Sequence, residues 1–265
     1  MDRIKDIRLF LFDMDGTLYL GDRLYDFTPR LLSKIKESGG KYMFMTNNSS
    51  KSVVDYIKKL DKLGIEAEYD DFITSSQATA YYLEKHHKNA CIYVCGTASL
   101  KAELVRAGFE VTEDLDKVDL IVMGFDTELT FKKLHDVSYL LLTRKDIPYI
   151  ATNPDYVCPT EFGSVPDCGS VCDMLYNVSS RRPLFIGKPE PLMPILAMER
   201  LGYGREETAV VGDRIYTDVK CGLNAGITGI LVMSGETTPE ILASSGDKPH
   251  LVLRAAGAIL AAIKE

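Results

Sequence analysis

Two aspartates, two positions apart, follow an apolar run near the start of the chain. The stretch "FLFDMDGTLYLG" covers residues 10–21 and places Asp13 and Asp15 at the end of a predicted buried strand, directly before a turn-forming glycine. Two carboxylates this close repel each other, and burial strengthens the repulsion. Either a cation lies between them or one of them keeps a proton. A surface Asp-Gly turn is the alternative, but the position directly after "RLFLF" favours chemistry.

Three further apolar runs end in residues that suit the same chemistry. "KYMFMTNNSS" ends in Thr46 and Asn47, whose hydroxyl and amide groups can donate hydrogen bonds to anionic oxygens, although this pattern alone is also typical of a helix N-terminus. "LFIGKPEP" places Lys188 just after an apolar strand, where an ammonium group can neutralise phosphate. "AVVGDRIYTD" ends a fourth strand at Asp213, with Asp218 five residues further on.

These motifs are expected to meet at one edge of a sheet, because open α/β sheets bind ligands beyond the carboxyl ends of their strands. Four acidic side chains at such an edge predict a Mg²⁺ site, since this hard cation binds carboxylates together with substrate phosphate oxygens. The cation would offset the repulsion between Asp13 and Asp15. For Asp218 the alternative is a helix N-terminal acid that is favoured by the helix dipole.

The elements that must position these residues follow from hydrophobic periodicity. Short β-rich apolar runs alternate with amphipathic runs of helical period, which is typical of a parallel α/β sheet. The strand candidates are "IRLFLF", "KYMFMT", "CIYVC", "LIVMGF", "PYIAT", "PLFIG", "TAVVG", "GILVM" and "HLVL". The helix candidates include "TPRLLSKIKESG", "SVVDYIKKLDKLG", "PLMPILAMERLG" and "TPEILASSG". Thr28 and Thr238, each directly before a proline, are predicted N-cap residues.

The middle third of the chain differs from its flanks. Residues 80–180 form a strand–helix repeat of their own, which ends in the irregular stretch "ATNPDYVCPTEFGSVPDCGS". We therefore predict a catalytic core of residues 1–79 and 181–265, with residues 80–180 inserted as a smaller α/β domain.

Composition excludes several classes of protein. The chain has 265 residues and a formal net charge of −7, and it has no Lys/Arg block longer than a pair, which argues against nucleic-acid and membrane-surface binding. No apolar run approaches the ~18 residues of a membrane span. The six cysteines lack zinc-site spacing, and the N-terminal residues do not resemble a secretory signal, so reduced thiols in a cytoplasmic protein are expected.

Taken together and in this order, the motifs resemble those of the haloacid dehalogenase-like phosphohydrolases. "TNNSS", "GFDTELTFKKL", "ATNPD", "FIGKPEP", "VGDRIYTDV" and "LVMSGETTPE" extend the likeness to the NagD-like, para-nitrophenylphosphatase-like branch, over residues ~7–240. The resemblance implies a Rossmann-like, doubly wound parallel sheet with a large α/β cap inserted between the second and third motifs.

The resemblance also implies roles for the core residues. Asp13 matches the nucleophile that forms an aspartyl-phosphate, and Asp15 matches the acid that protonates the leaving group and later activates water. Thr46 and Lys188 match residues that hold the phosphate, and Asn47 is expected to contact it as well.

The metal ligands and the specificity residues are implied in the same way. Asp213 matches a Mg²⁺ ligand beside the carboxylate of Asp13 and the backbone carbonyl of Asp15, while Asp218 matches a supporting carboxylate. In the "ATNPD" stretch, Asn153 and Asp155 offer polar groups in the cap region that faces the active site in the family. A simple Asx-Pro turn is the alternative there.

The expected activity is Mg²⁺-dependent hydrolysis of a small phosphorylated metabolite, such as a sugar phosphate or a nucleotide. Two alternatives remain at this point, namely a phosphotransferase or mutase of the same superfamily, and a non-catalytic binding protein. Neither nucleic acid nor a membrane is an expected partner, and a homo-oligomer is compatible with the sequence.

Overall fold

A computed structural model of the chain describes residues 2–160 and 162–263. Its two larger sheets are built from parallel strand pairs and are flanked by helices, which confirms the predicted α/β class. The strands are β1 (Leu9–Phe12), β2 (Tyr19–Leu20), β3 (Arg23–Leu24), β4 (Lys41–Thr46), β5 (Phe72–Thr74), β6 (Cys91–Cys95), β7 (Glu110–Val111), β8 (Leu120–Met123), β9 (Tyr149–Ala151), β10 (Val157–Thr160), β11 (Gly163–Pro166), β12 (Leu184–Phe185), β13 (Thr208–Gly212), β14 (Thr228–Val232) and β15 (Leu251–Leu253). The α-helices are α1 (Thr28–Glu37), α2 (Val53–Lys62), α3 (Ser75–His86), α4 (Ala98–Arg106), α5 (Phe131–Thr143), α6 (Cys168–Ser179), α7 (Leu192–Leu201), α8 (Lys220–Asn224) and α9 (Pro239–Ser244).

The largest sheet has six strands in the order β15-β14-β13-β1-β4-β5. Its pairings from β15 to β4 are parallel. The chain builds outward from β1 to β4 and β5, and it later returns to the other side of β1 to add β13, β14 and β15. This is doubly wound topology, and ligands of such sheets bind where the strand order reverses, which here is between β1 and β13.

The central strands of this sheet are apolar throughout because both of their faces are covered. All four residues of β1 and all five residues of β13 are buried. Helix α1 shows the matching pattern for a covering element, since it buries Leu31, Leu32 and Ile35 on one face. Thr28 is not the N-cap of α1 as predicted. It is the first helical residue, and its hydroxyl donates to the Leu18 carbonyl at 2.6 Å instead.

The chain divides into two compact units. The first unit contains Met1–Thr46, Ile57–Ile73 and Lys188–Glu265, and the second contains Asn47–Tyr56 and Thr74–Gly187. The second unit holds a parallel five-stranded sheet in the order β12-β9-β8-β6-β7. The predicted domain boundaries near residues 80 and 180 differ from this division, which keeps helix α3 whole. That residues 80–180 form a separate cap domain stays a prediction.

Segment Asn47–Tyr56 was predicted to lie in the core, but it belongs to the second unit. Ser49 supplies a physical reason, because its buried hydroxyl accepts a hydrogen bond from the Phe125 backbone N–H at 2.9 Å and lies 2.8 Å from the Thr152 hydroxyl. Sequence periodicity does not reveal long-range side-chain contacts of this kind.

The stretch predicted to be irregular contains an antiparallel hairpin of β10 and β11. Its strands are mostly exposed or half-buried and include Pro159 and Pro166, so they lack the alternating apolar pattern that marks a half-buried strand. Cys91, Cys95, Cys168, Cys172 and Cys221 are free, buried thiols. Within the described residues, no helix combines the length and apolarity that crossing a membrane requires.

Candidate active site

Three of the predicted acidic residues come together where the strand order of the six-stranded sheet reverses. Asp13 follows β1 directly, and its backbone N–H donates to the Val211 carbonyl of β13 at 2.8 Å. Asp213 follows β13, and Asp218 lies in a single π-helical turn, Ile215–Val219, which begins two residues later. One carboxylate oxygen from each of Asp13, Asp213 and Asp218 lies within 4.8 Å of the other two.

Lys188 bridges two of these acids. Its Nζ lies 2.7 Å from Asp13 Oδ1 and 2.6 Å from Asp218 Oδ1, and it also donates to the Met45 carbonyl at 3.3 Å. The lysine side chain is only 4% exposed, so these contacts replace its hydration. The strand before Lys188 was expected to belong to the same sheet as the other motifs. Instead β12 pairs with β9 in the five-stranded sheet, which the local sequence could not indicate.

Gly16 allows the first motif to approach the last one closely. Its φ of +79° lies in the left-handed region, and a Cβ at this position would lie 2.5 Å from Asp213 Oδ2. Any other residue would therefore both strain the backbone and displace the carboxylate. Gly16 is therefore required by packing as well as by turn geometry.

Burial and crowding shift the acid–base equilibria of the site. Burial raises the pKa of Asp13 to about 8; Lys188 opposes the shift, and the charges of Asp218 and Asp213 add to it. Burial and the charge of Asp218 raise the pKa of Asp213 to about 6. Burial disfavours the charged form of Lys188, but the carboxylates of Asp13 and Asp218 outweigh it and raise the lysine's pKa. One lysine therefore does not neutralise the cluster.

The donor set of the cluster fits a hard divalent cation. Asp213 Oδ2 accepts a hydrogen bond from the Glu236 backbone N–H at 2.7 Å, whereas Oδ1 is buried and has no hydrogen-bond partner among the residues that the structure describes. A buried acceptor without a partner is rare and needs an explanation. A cation such as Mg²⁺, which binds carboxylate oxygens, would satisfy it.

The side chain of Asp15 lies outside this carboxylate cluster and is 58% exposed. Its Oδ1 accepts from the Gly21 N–H at 3.4 Å, and its Oδ2 lies 3.9 Å from Lys59 Nζ. Lys59 in turn lies over the buried ring of Tyr19, 4.3 Å from the ring centroid. The Asp15 carboxylate is therefore open to solvent, and only the backbone carbonyl of this residue was expected to bind the ion. Both that contact and the role of the side chain in proton transfer stay predictions.

Two predicted phosphate-binding residues adjoin each other at the end of β4. Thr46 is the last residue of the strand and is 7% exposed. Asn47 begins the second unit, and its Nδ2 donates to Asp155 Oδ2 at 3.0 Å. Their contact with phosphate stays a prediction.

Asn153 is fully buried within the second unit. Its Nδ2 donates to Asp155 Oδ2 at 3.2 Å and to Asp167 Oδ1 at 3.1 Å, and its Oδ1 accepts from the Thr152 hydroxyl at 2.8 Å. These contacts occupy both ends of the amide, which favours a structural role over the predicted contact with substrate. The Asp155 carboxylate accepts hydrogen bonds from both Asn153 and Asn47. Its predicted role in specificity stays a hypothesis.

Sequence reasoning missed two residues beside the cluster. Arg214 Nε lies 2.8 Å from Glu236 Oε2, and Glu236 provides the backbone N–H that binds Asp213. Arg214 directly follows Asp213 in "VGDRIYTDV", which was the only available signal for it. Glu236 lies in "LVMSGETTPE", which was noted for its family likeness but received no role.

Comparison with known proteins identifies the family of the chain. The haloacid dehalogenase-like hydrolase family matches residues 10–110, and a HAD-hydrolase-like family matches residues 185–257. An acid sugar phosphatase of Staphylococcus epidermidis is 35% identical over 93% of this chain and 94% of its own length.

Two solved structures extend the comparison. A 4-nitrophenylphosphatase from Thermotoga maritima is 40% identical, with a TM-score of 0.94 over 100% of both chains. A glycerol phosphate phosphatase from Mycobacterium tuberculosis, solved in complex with calcium, is 25% identical and covers 98% of this chain and 76% of its own, with a TM-score of 0.89. The chain therefore belongs to the haloacid dehalogenase-like hydrolases, in the NagD-like, para-nitrophenylphosphatase-like branch of phosphoric monoester hydrolases.

Proposed function

We propose that this protein is a Mg²⁺-dependent phosphatase that hydrolyses a small phosphomonoester through an aspartyl-phosphate on Asp13. The main support is the clustering of Asp13, Asp213 and Asp218 around Lys188, at the point where open α/β sheets bind ligands. A sugar phosphate is the first substrate class to test, because sugar phosphatases and a glycerol phosphate phosphatase are among the relatives.

Asp13 is the proposed nucleophile. Lys188 holds Oδ1 at 2.7 Å, which fixes the orientation of the carboxylate. Burial raises the pKa of Asp13, so without a further cation the site disfavours the ionised form that the nucleophile needs. The divalent cation, when bound by Asp13, Asp213, the Asp15 carbonyl and the supporting Asp218, supplies positive charge that favours the ionised nucleophile and offsets the charge of the phosphate.

Asp15 is the proposed acid and base. Its exposed carboxylate can give a proton to the leaving oxygen, and it can then take a proton from the water that attacks the aspartyl-phosphate. The two roles follow each other in one turnover, so the side chain must remain accessible to solvent between them.

Lys188, Thr46 and Asn47 are the proposed phosphate-binding groups. The transition state of phosphoryl transfer carries its charge on three equatorial oxygens, which an ammonium, a hydroxyl and an amide can stabilise. Asn153 and Asp155 are the proposed specificity region of the second unit, which would act as a cap. A cytoplasmic location fits the free thiols.

The function is tested by measuring release of inorganic phosphate from a panel of sugar phosphates, nucleotides and 4-nitrophenyl phosphate, with Mg²⁺ and with EDTA. Asp13→Asn should lower kcat by at least about 10³-fold, as expected for removal of a covalent nucleophile. Asp61→Asn, an exposed acid on α2, is the matched control and should retain full activity.

Two results would contradict the proposal. Full activity of Asp13→Asn would show that Asp13 is not the nucleophile. Equal activity in EDTA and in Mg²⁺ would show that the reaction needs no divalent cation. Formation of a phosphate isomer without release of phosphate would instead identify a mutase.

A further inference from the structure

Segment 234–237, with the sequence Ser-Gly-Glu-Thr, contacts both the first and the last motif of the site. It lies between strand β14 and helix α9, and none of its residues has a role in the mechanism proposed above. All of its contacts described below lie within the first unit.

The segment holds Asp213 at two points. The Glu236 N–H donates to Asp213 Oδ2 at 2.7 Å, and the Thr237 N–H donates to the Asp213 backbone carbonyl at 3.2 Å. The first bond is short because its acceptor is charged. Both the backbone and the side chain of this proposed metal ligand are therefore fixed by the same segment.

Thr237 also fixes the turn that carries the next acid. Its side chain is 3% exposed, and Oγ1 accepts from the Ile215 N–H at 3.2 Å. Ile215 is the first residue of the π-helical turn that contains Asp218. A change at Thr237 is therefore transmitted to Asp218 as well as to Asp213.

Ser234 connects the segment to the first motif. Its hydroxyl donates to the Gly16 carbonyl at 2.7 Å, and its own carbonyl accepts from the Tyr25 hydroxyl at 2.8 Å. Gly16 directly follows Asp15, whose carbonyl is a proposed ligand. The segment thus links the turns after β1 and β13.

Gly235 leaves no room for a side chain. A Cβ at this position would lie 2.0 Å from Asp213 Oδ2 and 2.5 Å from Cγ, so the carboxylate would have to move. The backbone of the segment therefore lies directly against the ligand.

We propose that segment 234–237 is a positioning element for the divalent cation: it occupies Asp213 Oδ2 and thereby directs Oδ1 to the ion. Oδ1 is buried and finds no hydrogen-bond partner within residues 2–160 and 162–263, so it is the oxygen that this arrangement leaves available. Hydrogen-bond partners of metal ligands commonly contribute 10- to 100-fold to metal affinity. The inference rests on the metal site of the proposed function and assigns to it residues beyond its ligands.

The test is Mg²⁺ binding to the metal-free, full-length protein, measured by isothermal titration calorimetry without substrate. Gly235→Ala, which forces the carboxylate to move, and Thr237→Val, which removes the acceptor for Ile215, should each raise the Kd for Mg²⁺ about 10- to 100-fold. Thr237→Ser keeps the hydroxyl and should bind Mg²⁺ like the wild type.

Thr238→Val is the matched control because it makes the same chemical change one residue away. Thr238 caps helix α9 by accepting from the Ile241 N–H at 3.3 Å, so its loss weakens a helix end without touching Asp213. Its Kd for Mg²⁺ should equal that of the wild type. A rise as large as in Thr237→Val would mean that general loss of stability, and not positioning, sets the affinity, and would overturn the proposal.

The remaining outcomes separate this inference from the proposed function. If the wild type binds Mg²⁺ and folded Gly235→Ala and Thr237→Val bind it equally well, the positioning role is wrong. If the wild type itself binds no divalent ion, the metal site of the proposed function is wrong. Circular dichroism establishes which variants are folded. If Gly235→Ala or Thr237→Val does not fold, Ser234→Ala takes its place in the titration, because it removes only the hydrogen bond to the Gly16 carbonyl.

Discussion

Lys188 and Asp218 form an ion pair with 2.6 Å between Nζ and Oδ1, and their side chains are only 4% and 1% exposed. Removing one member of a buried pair leaves the other charge uncompensated, which commonly costs about 3–5 kcal/mol. Because Lys188 also contacts Asp13, its loss would leave two acids without their cation.

We therefore expect Lys188→Met to lower the free energy of unfolding of the metal-free protein by about 3–5 kcal/mol at pH 8. Urea unfolding in EDTA measures the change. The double variant Lys188→Met/Asp218→Asn should recover part of the lost free energy of unfolding, because only one of the two acids is then left without a cation. If the double variant is less stable than the single one, the uncompensated charge of Asp218 is not the cause.

The raised pKa values predict an unusual dependence of stability on pH. The pKa of Asp13 is about 8 in the folded chain against 3.8 for an unperturbed aspartate, and that of Asp213 is about 6. Between the unfolded and the folded pKa of each group, the folded state binds more protons than the unfolded state. Asp13 and Asp213 therefore make the metal-free protein less stable as pH rises from about 4 to about 8.

Unfolding in EDTA across this pH range measures the effect, and Asp13→Asn should flatten the slope between pH 6 and pH 8. Since a bound ion requires the ionised carboxylates, affinity for Mg²⁺ should rise with pH over the same range. A slope between pH 6 and pH 8 that Asp13→Asn does not alter would show that Asp13 is not the group responsible.

The ion pair between Lys59 and Asp15 predicts a dependence on the leaving group. Asp15 is more than half exposed, and Lys59, which is itself held over Tyr19, limits the directions its carboxylate can take. Protonation matters most for a poor leaving group such as a sugar alkoxide, and least for 4-nitrophenolate. We expect Lys59→Met to lower kcat/KM for a sugar phosphate about tenfold, and for 4-nitrophenyl phosphate by much less.

Comparing kcat/KM for the two esters checks this, because kcat/KM reports only the steps up to formation of the proposed aspartyl-phosphate. Lys59→Arg keeps the positive charge and should restore kcat/KM for the sugar phosphate. Lys62 is an exposed lysine of the same helix, and Lys62→Met should change kcat/KM for neither ester. Equal losses for both esters would exclude a role that acts through Asp15.

Substitution of Asn153 distinguishes a structural role of this residue from a role in substrate specificity. Since its amide satisfies the carboxylates of Asp155 and Asp167 in a buried position, we expect Asn153→Ala to lower the free energy of unfolding by about 2–3 kcal/mol. Thermal and urea unfolding measure this, with the exposed Asn177→Ala as control. A raised KM with unchanged stability would instead support the specificity role that the sequence suggested.

Much of the six-stranded sheet was predictable from the sequence, for a physical reason. Strands β4 and β13 match their predicted runs, and β1 lies within its run, because strands buried on both faces leave an uninterrupted apolar signal. Asp13 and Asp213 were found for the same reason, since each directly follows such a strand.

Other features depend on long-range contacts that leave no local pattern. Segment 234–237 acts through backbone N–H groups, which every residue except proline has, so only Gly235 carries a signal of its role. The pairing of β12 with β9, and the contact of Ser49 with Thr152, are likewise decided between distant parts of the chain.

The reversal of strand order between β1 and β13 has a consequence for how the enzyme acquires its activity. Asp13 is synthesised well before its neighbours in the cluster, Asp213 and Asp218. A growing chain therefore carries the proposed nucleophile before the proposed ion site is complete. We expect activity toward phosphate esters only after β13 and the turn that carries Asp218 have docked, so a chain truncated before Asp213 should be inactive.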